Sequence, residues 1–369
     1  MTRSLPQLVL EQLQGARNKL IKSKVLVGLD GFVDTILHVV DKRESATKYT
    51  RLSKMGEYGK RVIAAAGHSA NFEFVTQMLK LGGNGPIMAN SLGSYGAPVT
   101  YVGSLGAPNI HSVFTEFAKH ATVYSIAEPG YTDAVEFDDG KLMCGKHGSL
   151  KDVNWANLLK HLPEEQLVKI FSESALIAMV NWTMLTFMTA IFQKLLTRIA
   201  PQIKGEKRWL FFDLADPAKR TEEDIKELLK LITKFEKYFK VVLGLNLQES
   251  RQIGAVLGLK MKDDSPESVT AQAAAIHKVL GIHTVVIHPT SFAAAADATG
   301  ATHVPGPFTA KPRITTGAGD HFNAGFCVGR LLGGNLASSL QIGVATSGYY
   351  VRHAKSPRID DLKKFLQTL

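Results

Sequence analysis

The sequence predicts an α/β protein with a central, mostly parallel sheet and smaller antiparallel pieces inserted into it. Three observations carry this reading. Short apolar, β-branched runs alternate with longer helical patterns along the 369 residues, the order that places parallel strands between crossover helices. Two regions, 32–80 and about 121–150, interrupt the alternation with period-two segments such as "FEFVTQMLKL" and "DAVEFDDGKLMCG". Finally, "TTGAGDHFNAGF" places a tight, small-residue turn directly ahead of an apolar helical pattern.

From the N-terminus, residues 5–20 form an amphipathic pattern expected to pack on the domain as one helix. Strands are expected at 24–29, 99–105, 175–180, 209–214, 240–245 and 284–288, short runs rich in Val, Ile, Leu and Phe, as strands buried on both faces require. Helices are expected at 184–199, 221–238, 248–257, 268–280, 318–332 and 336–352, with another starting near Pro86. Thr221 is placed to cap the second of these, and acids at 222–224 suit its positive end. Asp139-Gly140 is a strong hairpin turn signal inside the second insert. The whole chain, 1–369, reads as a single domain in which 32–80 and 121–150 form a small lid or flap.

Composition narrows the function classes. Apolar residues make up 45% and charged residues 21%, values of an ordinary globular chain. No apolar run approaches the length of a membrane span, and "MTRSLPQLVLEQLQGARNKLIKSK" lacks the apolar core and cleavage site of a signal peptide. Cys144 and Cys327 are far apart and fit reduced thiols in the cytoplasm. The net charge of +10 is scattered, without interleaved aromatics or a nucleic-acid module. Nucleic acid and membrane are therefore not expected as partners; the charge is expected to be chiefly solvated surface, with attraction of phosphorylated small molecules as its main specific use.

Gly317-Ala318-Gly319-Asp320 carries the most chemistry. Small residues leave main-chain N–H groups uncovered at a helix N-terminus, a ready anion site. A carboxylate set on that site repels an anion unless it has a task, and accepting a proton from an attacking hydroxyl is such a task. As a purely structural feature, Asp320 would merely cap the helix. Asn246 and Glu249, closing the strand at 240–245 in "GLNLQES", share one face at a helix start. Alone they describe equally well an N-cap with an acid in the first turn. Asp30 and Asp34 follow the first strand in "VLVGLDGFVDTI", where open α/β sheets bind ligands; each could instead cap a turn. Gly82-Gly83 permit close backbone approach to a ligand, and Asn84 adds an amide able to bond a hydroxyl.

"TTGAGDHFNAGF" resembles the second signature of the ribokinase-like, phosphofructokinase-B type carbohydrate kinase family, whose other landmarks recur in order over nearly the whole chain. The resemblance implies a three-layer αβα sandwich with a small β lid, and transfer of a phosphoryl group from a nucleotide to a hydroxyl of a sugar or sugar-like molecule. It implies Asp320 as general base, Gly317, Ala318 and Gly319 as anion hole, and Asp34, Gly82, Gly83 and Asn84 with Asp30 at the acceptor. Asn246 and Glu249 match the family's Asn-x-x-Glu motif and imply a hydrated Mg²⁺ beside the nucleotide phosphates, with Glu249 acting through water. ATP is the expected donor. The spacing from Gly28 to Asp34 also resembles the ADP-dependent sugar kinases, so ADP is the alternative donor, and a catalytically silent ligand-binding relative is a further alternative. Family members often pair through their lids, which implies a homodimer.

Three positions depart from the family pattern. Ile314 stands where an acid usually opens the second signature, and Ile87 replaces a frequent sugar-contacting asparagine. His288, in "VVIHPTSFAAA", takes the threonine place of the family's nucleotide loop, whose glycines are missing. Asp213 and Asp216, at the mouth of 209–214, lie near the expected phosphates, where Asp216 could equally cap a helix before Pro217.

Overall fold

The structure is a computed structural model that describes residues 4–369. Its strands, in chain order, are β1 (Val25–Leu29), β2 (Phe32–Arg43), β3 (Tyr49–Arg51), β4 (Phe74–Gly82), β5 (Val99–Gly103), β6 (Ala121–Ser125), β7 (Gly130–Phe137), β8 (Gly140–Lys146), β9 (Leu176–Met179), β10 (Trp209–Asp213), β11 (Lys240–Leu245), β12 (Thr284–Ile287), β13 (Phe292–Asp297) and β14 (Gly300–Pro305). Nine of them form one sheet in the order β14-β13-β12-β11-β10-β9-β1-β5-β6. Pairing from β12 through to β6 is parallel, and β13 and β14 are added antiparallel at one edge.

The period-two geometry of a strand sends neighbouring side chains to opposite faces, and the core divides accordingly. Leu26, Met179, Phe212, Leu243 and Ile287 join one apolar cluster with residues of the helices Glu164–Glu173, Met188–Lys194, Glu222–Phe235, Leu247–Val256 and Pro266–Leu280. Val25, Val27, Ala178, Phe211 and Val286 join another with the helices Leu5–Gln12, Asn84–Ser94, Ala318–Leu331, Leu336–His353 and Ile359–Leu366. The result is a three-layer αβα sandwich, as expected.

Each of the six expected strands is present within two residues of its expected ends. Thr221 caps its helix, its Oγ1 accepting the Asp224 N–H at 3.1 Å. Four differences fall on expected elements. The segment 5–20 is two helices, Leu5–Gln12 and Ala16–Leu20, because Gly15 turns left-handed at φ 73° between them. The helix expected at 184–199 begins at Met188 and closes with a wider turn over Leu195–Ile199. Residues 121–125 are not part of the inserted piece: β6 is the parallel edge strand of the large sheet. The hairpin turn falls at Asp138-Asp139, one residue early, with Phe137 paired to Gly140; Asp139 instead uses its carboxylate to accept the Met55 N–H at 2.9 Å.

The remaining strands form a smaller sheet. β2 pairs with β3 and β4 antiparallel and with β7 in parallel, and β8 closes a hairpin on β7. Its outer part has an apolar nucleus of its own, in which Leu37, Val39, Leu52, Val135 and Phe137 pack with Met55, Tyr58 and Phe72. β2 begins three residues after β1 ends and β4 ends one residue before the Asn84 helix, so the small sheet stands over the carboxyl ends of the central strands.

Candidate active site

Four segments converge at that edge: the β1–β2 turn, the turn from β4 into the Asn84 helix, the end of β9, and the turn 315–320. The last of these begins the helix Ala318–Leu331 from Gly317 at φ 90°. A Cβ there would also lie 3.2 Å from Ile87, so glycine is demanded both by conformation and by space. Two main-chain carbonyls of the turn are braced from behind. Tyr350 Oη donates to the Thr316 carbonyl at 2.9 Å and His321 Nδ1 bonds the Gly317 carbonyl at 2.7 Å. The two rings stack with centroids 3.6 Å apart, and His321 Nε2 reaches Ser356 Oγ at 2.9 Å. Burial pushes the His321 imidazole down to about 4, so it is neutral and bonds as one donor and one acceptor. The Thr316 carbonyl shares its peptide plane with the Gly317 N–H, so its brace aims that amide away from Tyr350; among the described residues the amides of Gly317 and Gly319 have no partner, whereas the Ala318 N–H is turned back to the Thr315 carbonyl at 3.1 Å. Of the three expected anion-hole amides, two are free.

The turn is a wall shared by two cavities. On one side lies a cavity of about 330 Å³, lined by Asp34, Gly83, Asn84, Thr132, Asn181, Gly317 and Asp320 with Phe32, His147 and Lys219. On the other lies a cavity of about 430 Å³, lined by Asn246, His288, Thr315, Ala318 and Gly319 with Phe308 and Val351. A larger concavity, about 960 Å³, runs along the outer side of the Asn84 helix and includes Lys80, Ile314 and His321 but no carboxylate of the expected site. The chemistry therefore concentrates in the two smaller cavities.

Asp320 is almost fully withdrawn from solvent, with 8% of its surface accessible, yet lines the first cavity. Burial pushes its carboxyl up to about 8; the Asn84 side chain, donating from Nδ2 to Oδ1 at 2.9 Å, pulls the other way, while Asp30 and Glu249 add repulsion. Asp34 is buried too, which raises its carboxyl against the opposing effects of Lys80, Thr132 and Lys141. Gly82 makes room for it, because a Cβ at 82 would sit 2.5 Å from the Asp34 carboxylate.

Asp30 has a different place from the one expected. It lies outside both cavities with no accessible surface. Its Oδ1 accepts the Gly85 N–H at 2.8 Å, and its Oδ2 accepts the Asn84 N–H at 2.9 Å and Asn181 Nδ2 at 2.7 Å. Gly83, the N-cap, has no side chain to satisfy those helix amides; Asp30 supplies the missing cap from the neighbouring strand. Burial lifts its carboxyl to about 6, moderated by these bonds.

Asn246 and Glu249 form a capping box. Asn246 Oδ1 accepts the Glu249 N–H at 2.9 Å, and Glu249 Oε2 accepts the Asn246 N–H at 2.7 Å. Glu249 Oε1 accepts the Asp216 N–H at 2.8 Å. Each carboxylate oxygen keeps a second acceptor direction. Among the described residues no group of three or more His, Cys, Asp or Glu is arranged to hold a metal. Direct enclosure by protein ligands does not fit; a Mg²⁺ that keeps its own waters and is touched through them does. Asp213 is buried, which raises its carboxyl strongly, with Glu249 and Asp320 adding to the shift; Asn323 Nδ2 and the Ala215 N–H bond it at 2.7 and 2.9 Å. Asp216 stands at φ 62° ahead of the short 3₁₀ turn Pro217–Lys219.

His288 lies at the end of β12 against Phe322, ring centroids 4.8 Å apart, with its buried Nε2 unpartnered. Burial lowers it to about 4. The stretch after it is a turn into β13, a strand not expected from the sequence because four successive alanines carry little β preference; the sheet edge supplies the pairing that propensity lacks. Asn181 was also missed. It tolerates φ 61° at the end of β9 and lines the first cavity while anchoring Asp30. Its signal was an asparagine ending an apolar strand, a position that favours left-handed backbone.

A three-layer sandwich whose strand ends gather a buried carboxylate and a free-amide helix start is the framework of ribokinase-type carbohydrate kinases. The sequence profile of the prokaryotic ketohexokinase family matches residues 9–369, and the chain belongs to that family. It is 30% identical over 344 residues to a ketohexokinase of Haloferax volcanii, covering 93% of this chain and 90% of the relative. Its fold is shared with Arabidopsis thaliana ribokinase complexed with ribose and ATP (TM-score 0.64, 16% identity, 94% and 99% of the two chains). It is shared equally with Escherichia coli phosphofructokinase-2 in complex with substrates and products (TM-score 0.65, 16% identity, 94% and 99%). The protein is a carbohydrate kinase. Among the described residues no helix is long and apolar enough to cross a membrane.

Proposed function

We propose that the protein transfers the terminal phosphoryl group of ATP to a primary hydroxyl of a ketohexose bound in the 330 Å³ cavity. The observation that carries this is the shared wall: the turn 315–320 presents Asp320 to one cavity and Ala318-Gly319 to the other. A hydroxyl and a nucleotide on either side of one turn meet the positioning demand of phosphoryl transfer. The ketohexose assignment rests on the activity for which the Haloferax relative is named, and ATP on the ligand of the ribokinase structure.

In this reading Asp320 takes the proton of the acceptor hydroxyl as its oxygen forms a bond to the γ-phosphorus and the bond to the ADP oxygen breaks. The free amides of Gly317 and Gly319 meet the charge that spreads over the transferring group. Asp34 and Asn181 accept and donate hydrogen bonds to the sugar, and Gly83 lets the ring approach the backbone. Asn246, His288 and the second cavity receive the nucleotide. Bound Mg²⁺, reached by Glu249 through water, would supply charge neutralisation at the phosphates. The small sheet is the lid that covers the sugar, and the protein works in the cytoplasm.

Asp320→Asn tests the assignment. Sugar and nucleotide affinities by calorimetry should stay within a few fold, while turnover falls by roughly 10²–10⁴, the usual share of general acid–base catalysis. Turnover within tenfold of the parent would remove Asp320 from the mechanism. Running fructose and a panel of aldoses with ATP and with ADP, and weighing the products, tests the substrates; phosphate delivered only from ADP, or only to aldoses, refutes this pairing.

A further inference from the structure

Asn84 occupies an unusual junction. It is the first residue of the helix Asn84–Ser94, and its main-chain N–H donates to Asp30 Oδ2 at 2.9 Å. The adjoining Gly85 N–H and Asn181 Nδ2 complete the grip on Asp30 at 2.8 and 2.7 Å. Asp30 is thereby pinned from three directions, and with it the end of the helix. From this fixed root the Asn84 side chain crosses the cavity wall to donate from Nδ2 to Asp320 Oδ1 at 2.9 Å, a bond between residues 236 positions apart in sequence.

We infer that Asn84 is a positioning residue for the general base: its amide fixes Asp320 Oδ1, so that Oδ2 is the oxygen offered to the acceptor hydroxyl. This rests on the catalytic assignment of Asp320 proposed above. Two physical consequences attach to the bond. An asparagine amide donates and the carboxylate accepts, so the bond favours the ionised, proton-accepting form. It also ties one oxygen of a group whose carboxyl would otherwise rotate between two acceptor directions, and a misplaced base loses rate steeply. No neighbouring residue can substitute, since Gly83 and Gly85 on either side have no side chains, and a Cβ at 85 would lie 2.6 Å from Asp30 Oδ1.

The acceptor-binding alternative and the positioning role separate in pH profiles of the full-length enzyme. In Asn84→Ala, the acid limb of kcat/KM moves up by about one pH unit because the bond that favours ionisation is lost. At pH 7 this lowers kcat/KM about tenfold, and the deficit shrinks to about twofold at pH 9. Asn84→Asp has the same shape and preserves the helix start, but replaces the donor by a like charge; it should shift the limb further in the same direction. If Asn84 only binds sugar, KM rises in Asn84→Ala with the limb unmoved. If it only supports the helix, thermal stability falls in Asn84→Ala, again with the parent's limb. Either pattern overturns the inference. Asp320→Asn run beside them distinguishes the two proposals: if that variant turns over normally, the base itself was misassigned, whereas a dead Asp320→Asn with an unmoved limb in Asn84→Ala refutes the positioning role alone.

Discussion

At the residue scale the decisive quantity is the Asp320 carboxyl, lifted to about 8 by burial. Between its unfolded value near 4 and about 8 the native protein holds a proton that the unfolded chain has released, so this group makes stability fall as pH rises through that window. Asp320→Asn removes the penalty: its melting temperature should match the parent near pH 4 and exceed it by a few degrees at pH 8. For the parent, kcat/KM should climb with pH until the carboxyl is ionised, levelling above about 8. Tyr350→Phe keeps the ring stack on His321 but drops the bond to the Thr316 carbonyl. Loss of one orienting hydrogen bond should cost about tenfold in kcat with little change in KM; an unchanged kcat would show that the turn holds its shape without the brace. The placement of Asp320 in the first turn of one helix, and of Asn246 and Glu249 at the start of another, was legible because each lies in a short motif that marks a strand-to-helix turn. Asp30 was not, since its role is set by Asn84, Gly85 and Asn181, residues 54, 55 and 151 positions away. A carboxylate at a strand end looks the same in sequence whether it meets a ligand or a helix.

At the element scale, the buried parallel strands were readable because both faces are apolar and their runs are rich in Val, Ile, Leu and Phe. Elements held by an edge were harder. β6, "ATVYS", resembles part of the inserted hairpin, and only its parallel pairing with β5 assigns it to the large sheet. The one-residue error at Asp138-Asp139 has a comparable origin, because Asp139 is claimed by the Met55 N–H across the small sheet. Gly82 illustrates a constraint invisible in the chain alone: a Cβ there would strike the Asp34 carboxylate at 2.5 Å. Gly82→Ala should therefore raise the sugar KM by roughly tenfold, through displaced Asp34, while leaving the nucleotide KM unchanged. Equal effects on both substrates would place the damage elsewhere.

At the scale of the whole molecule, the two apolar layers flanking the large sheet and the separate nucleus of the small sheet are distinct reservoirs of stability. Phe137, packed beside Tyr58 with ring centroids 5.7 Å apart, belongs only to the small one. Phe137→Ala should weaken that sheet by about 3 kcal/mol, seen as faster amide exchange confined to β2, β3, β4, β7 and β8 and as a higher sugar KM, with the main melting transition nearly in place. Protection lost evenly across β9–β12 would contradict the separation. The basic balance of +10 belongs to this scale also, and its anion-attracting effect should fade as salt is raised.

Because the small sheet carries its own oily centre, it resembles an interchangeable part more than an extension of the floor. A roof from a cousin enzyme, joined at Phe32, Gly82, Gly130 and Lys146, would bring its own cohesion and leave the turn 315–320 beneath untouched. Variation in the part of the cavity wall that holds Asp34 and Thr132 can thus proceed in one module while the turn 315–320 is conserved in the other.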